Sequence, residues 1–114
     1  MRRVILESPY AGAIARNVRY GRACLLDCLK RGEAPMAGHL LYTQPGVLWD
    51  AMPEDRHLGI EASFAWRGVA SATVVYSDLG ISPGMKAGIE HSLSIGVPVE
   101  YRTLPGWEKQ DGFR

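Results

Sequence analysis

The chain has almost no net charge, few cysteines and no long apolar run, and each shortage removes a class of function. Thirteen Lys and Arg against twelve Asp and Glu leave a formal charge of +1 over 114 residues. Nothing general therefore draws it to polymeric nucleic acid or to an anionic membrane surface. Arg16, Arg19, Arg22, Lys30 and Arg31 do cluster, but on a helix they fall mostly on one solvated face. The only cysteines, Cys24 and Cys28, lie four apart. On one helix their Cα atoms sit about 6 Å apart, a geometry that seldom suits a disulfide. Without a nearby His they are too few for structural zinc, so they read as small helix residues in a reducing compartment. No apolar stretch approaches the ~20 residues of a membrane span. Met1-Arg2-Arg3 leads into a short strand and not a signal peptide, and the cytoplasm is the expected location. Gly80-x-Ser82-x-Gly84 lacks both the full dinucleotide fingerprint and the Lys-Ser/Thr of a P-loop. That argues against ATP hydrolysis and nicotinamide-dependent hydride transfer, and neither cofactor nor metal is expected.

At 46% hydrophobic and 22% charged, the sequence describes one globular domain over 1–114, with a polar tail over 103–114 that carries Trp107 and Phe113. The tail is either loose or a docked arm. The organising stretch is Thr73 to Met85: a β-branched run, an acid at its end (Asp78), two glycines and Ser82-Pro83. A helical pattern from Pro83 to Ile95 follows, then the strand candidate Val97 to Tyr101. Strand, Gly-rich turn, helix and strand make a βαβ unit, whose ligands sit at the carboxyl ends of the strands.

Earlier in the chain, Arg3 to Glu7 is a short apolar strand, Ser8-Pro9-Tyr10-Ala11-Gly12 a turn, and Ala13 to Arg31 a helix. Ile14, Val18, Gly21, Leu25, Cys28 and Leu29 form its expected apolar face. The segment Ala34 to Thr43 carries a second strand or an irregular extended piece, and 47–52 is a loop with Trp49 and Met52. Pro53-Glu54-Asp55 opens a helix through Arg67, with Leu58, Ala62 and Ala65 as its stripe, widened by Phe64 and Trp66. The sum is a three-layer α/β domain with a mostly parallel sheet of four or five strands, Ile5 and Val75 lying in central ones. A chain this small has a limited core, and its apolar loop suggests a homo-oligomer.

Parallel strands bring three βα turns to one sheet edge, and with them Tyr10, Asn17, His39, Asp50, Arg56, Glu61, Asp78, Ser82 and Glu90. His39 is either a core histidine or a proton-transfer group. Arg56 either pairs with Asp55 or holds an anionic ligand group. A partly buried Glu61 serves as acid or nucleophile; otherwise it is solvated. Gly80 and Gly84 allow close backbone approach to a ligand, and Ser82 and Met85 open the following helix.

Taken together, residues 3–102 resemble the small phage and bacterial proteins related to the nucleoside 2-deoxyribosyltransferase superfamily. The resemblance rests on the opening strand with Ser8 to Gly12, on Asn17, on Pro35 to His39, and above all on Asp78 to Met85 followed by Gly96-Val97-Pro98-Val99. It implies a flavodoxin-like fold and multimers with sites near subunit contacts. It also implies cleavage or exchange of a nucleoside or nucleotide N-glycosidic bond by an attacking carboxylate, with an early Tyr and an Asp positioning the substrate. The chain departs from that pattern at one place. The family's nucleophilic Glu lies eight residues before the glycine of the Gly-x-Pro-Val ending, and here that position is Gly88. Glu90 faces another side of the helix, about 200° away. Glu61, and after it Glu90, are therefore the carboxylates expected to act, with Asp78 and Tyr10. The alternatives are a non-catalytic nucleotide binder, such as a phage protein capturing a host signalling nucleotide, and an assembly protein without chemistry.

Overall fold

The computed structural model describes residues 1–107. Along the chain run β1 (Arg2–Glu7), α1 (Ile14–Lys30), β2 (Glu33–Met36), α2 (Gly38–Leu41), α3 (Pro53–Arg67), β3 (Ala72–Tyr76), α4 (Pro83–Ser94) and β4 (Val99–Arg102). The strands form one parallel sheet in the order β2-β1-β3-β4, with Leu6 paired to Val74 and Glu7 to Val75. This is the expected flavodoxin-like α/β architecture, with four strands and with Ile5 and Val75 on the two central ones. No described helix is long and apolar enough to cross a membrane.

Alternation along each strand divides the core into two sides. Val4, Leu6, Ala72, Val74 and Tyr76 pack against Tyr20, Cys24 and Cys28 of α1 and against Trp107. Glu7 and Thr73 point the opposite way and meet Arg67 of α3, whose guanidinium also reaches Ser92 of α4. The crossover from β1 thus runs over one face and that from β3 over the other. Their divergence opens a crevice at the carboxyl ends of β1 and β3.

Several local expectations are revised. The buried face of α1 is Asn17, Tyr20, Gly21, Cys24 and Cys28, while Ile14 and Leu29 stay about half exposed. The aromatic Tyr20 sets the phase: it packs against Trp107 in a tilted pair with ring centroids 4.9 Å apart and donates to Asp78 at 2.5 Å. In α3 the expected stripe is turned outward, Leu58 being 56% exposed. The inner face is small and polar: Ser63 packs so tightly on Gly38 that a Cβ there would overlap it, and Arg67 is buried. The second strand ends at Met36, and His39 to Leu41 are helical. Pro35 sits on this edge strand, where its missing N–H is tolerated. The first part of the tail is a docked arm: Trp107 is buried and the Leu104 N–H donates to Asp78 at 2.9 Å. The remainder, with Phe113, lies outside the described residues.

Candidate functional site

At the carboxyl end of β1 a cavity of about 260 Å³ opens between α2, α3 and the start of α4. That is close to the lower end of the ~300–1,000 Å³ typical of small-molecule sites.

Its floor is the end of β1. The Glu7 carboxylate is buried, and its Oε2 accepts from Nη2 of Arg67 at 2.8 Å. Among the described residues no second hydrogen bond reaches this carboxylate, so Oε1 keeps its lone pairs for another partner. Arg67 also donates from Nη1 to Thr73 Oγ1 at 3.1 Å and to Ser92 Oγ at 3.0 Å. Ser92 in turn donates to the Gly88 carbonyl at 3.0 Å. Burial pushes the Glu7 carboxyl above its usual range, and the Arg67 guanidinium pulls it part of the way back. Gly88 lies directly against this group: a Cβ there would sit 2.6 Å from Glu7 Cδ, inside contact distance.

The next residue starts the second polar element. Ser8 Oγ lies 2.7 Å from Nε2 of His39, at the cavity wall. Desolvation pushes the His39 imidazole down to about 4, so at neutral pH it is uncharged and offers one donor and one acceptor. Asn17 is buried in α1 and donates to the carbonyls of Tyr10 (2.9 Å) and Ala11 (3.1 Å), fixing the turn that carries Tyr10 into the cavity. Asp55 accepts from the Trp49 N–H at 2.9 Å and holds the 47–52 loop against α3, which places Asp50 and Arg56 at the rim. Ser82 caps α4, its Oγ accepting from Met85 N–H at 3.2 Å.

The cavity thus gathers Tyr10, His39, Asp50, Arg56, Ser82, Gly84 and Met85 from the residues singled out in the sequence. Asn17 stands behind it. Glu61 lies on the outer face of α3 with its side chain 70% exposed, 3.6 Å from His57. Glu90 is exposed on α4. Asp78 is on the α1 side of the sheet, where Tyr20 and Leu104 occupy it. Gly80 makes the turn there, with φ +87° and its N–H on the Ser77 carbonyl at 2.9 Å. These four do not line the cavity. Glu7, Ser8, Ser63, Phe64 and Arg67, absent from the candidate set, do. Glu7 carried the same signal as Asp78, an acid closing a buried apolar strand. Arg67 looked like a basic last-turn residue, and nothing local showed that it turns inward. Among the described residues no three His, Cys, Asp or Glu side chains gather as a metal site.

Across 98% of this chain and 92% of the other, the fold matches a 2-deoxyribosyltransferase from the psychrotolerant bacterium Bacillus psychrosaccharolyticus, with a TM-score of 0.62 and 15% identity. At that identity the likeness is one of fold. No curated protein matches by sequence. The model of a family described as a domain of unknown function, DUF7768, matches residues 2–102, and the chain belongs to that family.

Proposed function

We propose that this DUF7768 member, read as a single unit over 1–114, binds a nucleoside or nucleotide derivative in the cavity and cleaves or transfers its N-glycosidic bond through a carboxylate. One observation carries the reading. A deoxyribosyltransferase-like fold presents, at its switch point, a ligand-sized cavity whose floor is a buried carboxylate with an unengaged oxygen. Around it, Tyr10 offers a ring for a base and Arg56 a fork for an anionic group, while the Phe64 ring is taken up by His91, stacked on it with centroids 4.1 Å apart. A non-catalytic binder is the second reading, and the buried Glu7–Arg67 pair favours it, since such a pair also serves as architecture.

Incubation with a panel of nucleosides, nucleoside monophosphates and cyclic signalling nucleotides, read by mass spectrometry, separates the two. A free base released from at least one compound is the expected result. Retention without release supports the binder, and neither retention nor release contradicts both.

Self-association belongs to the same reading. Val47, Trp49, Met52 and Leu58 are 41–66% exposed on the loop and helix that wall the cavity. Light scattering at about tens of micromolar, where weak pairs form, is expected to show at least a dimer; a monomer there contradicts it.

A further inference from the structure

We infer that Glu7 is the catalytic carboxylate and that Gly88 exists to leave room for it, so that the reacting group comes from the end of β1 and not from α4. This rests on the reading above and goes further by naming the residue. The niche under α4 has space for one side chain. At position 88 the helix gives it up, and the Glu7 carboxylate fills the place where a Cβ would be. Arg67 fixes the carboxylate through Oε2 and is itself fixed by Thr73 and Ser92, one from β3 and one from α4. Three elements therefore converge to aim a single oxygen. Among the other acids, Glu61 and Glu90 face solvent, Asp78 is consumed by Tyr20 and Leu104, and Asp55, which also lines the cavity, lies in the first turn of α3 and holds the Trp49 N–H. Asp50 sits on the loop at the rim, away from the rigid floor.

The step balances as follows. A lone pair on Glu7 Oε1 forms a bond to the sugar anomeric carbon. The bond from that carbon to the base nitrogen breaks, its electron pair leaving with the base, which takes a proton from water. Water, or the nitrogen of a second base, then attacks the same carbon. The ester bond breaks, the carboxylate is restored and the attacking group's proton passes to solvent. Arg67 is a positioning residue: it fixes the carboxylate through Oε2 and works against the burial that favours the neutral carboxyl.

The test uses a compound that the wild-type protein cleaves. Glu7→Gln keeps the shape and an acceptor for Arg67, and should lower turnover on the order of 10⁴-fold while binding of the same compound survives. Glu7→Gly empties the niche, and added azide should restore base release and yield a glycosyl azide, the azide nitrogen taking the place of Oε1. A merely structural Glu7 gives no such rescue. Turnover that survives Glu7→Gln and is lost in Glu61→Gln or Asp50→Asn overturns the assignment while the glycosidic reading stands. Wild-type protein that retains compounds without cleaving them overturns the assignment, and protein that neither retains nor cleaves overturns both.

Discussion

Arg67→Met is expected to lower folding stability by about 3–5 kcal/mol at neutral pH, because it leaves the Glu7 carboxylate buried without its counter-charge. Two hydroxyl partners lose their donor at the same time, since Thr73 and Ser92 bond to the same guanidinium. The loss carries a pH signature. Burial already raises the Glu7 carboxyl above the ordinary 4.5, and Arg67 is what restrains it. Without Arg67 the folded-state value rises further. The unfolded chain then releases its proton first as pH increases, and the variant loses stability as pH climbs from 4.5 through the folded value. Urea unfolding of wild type and variant at pH 4.5 and pH 7.5 should show the smaller gap at the lower pH. A gap below about 1 kcal/mol, or one that ignores pH, would mean that the pair is not buried as described.

Gly88→Ala carries the second large effect. One methyl at this position meets the Glu7 carboxylate 2.6 Å from its Cδ, so either α4 or Glu7 must shift. Overpacking of this kind costs about 1–3 kcal/mol. A displacement near 1 Å of a reacting group costs about 10²-fold in rate. The expected result is a folded, less stable protein whose turnover falls about 10²-fold with little change in binding. Thermal unfolding and kcat measured on the same preparation check it. Unchanged turnover would mean that the niche tolerates a side chain and that Glu7 is not held against α4.

The same pair of residues marks where the sequence was readable and where it was not. The sheet was legible because its strands are short β-branched runs separated by helices, and periodicity reports that directly; α3 falls on the residues that Pro53 and Gly68 delimit. The phase of the helices was less legible. Tyr20 rather than Ile14 turns inward because it has Trp107 to pack against and Asp78 to bond, and both partners are distant in sequence. The inner face of α3 defeats a hydrophobicity count because it is Gly59, Ser63 and Arg67, chosen for close approach and charge. Convergence of the three βα turns was legible from topology alone, which is why Tyr10, His39, Arg56 and Ser82 meet. Which acid joins them was not, since strand parity decides it. Glu7 points to the α3–α4 side and Asp78 is spent on the arm that ends in Trp107. The empty position at Gly88 was visible as a departure, but that a side chain from β1 fills it is a fact of three dimensions.

A Glu7 carboxylate that meets the sugar carries the glycosyl group between the two halves of the reaction. Acid quenching of the protein during turnover, followed by trypsin digestion and mass spectrometry, reads it directly. A glycosyl mass is expected on the peptide running from Val4 to Arg16, which contains Glu7 as its one acid. The same mass on the peptide from His57 to Arg67, which carries Glu61, would contradict it. So would sustained base release with the peptide from Val4 to Arg16 unmodified at every quench time.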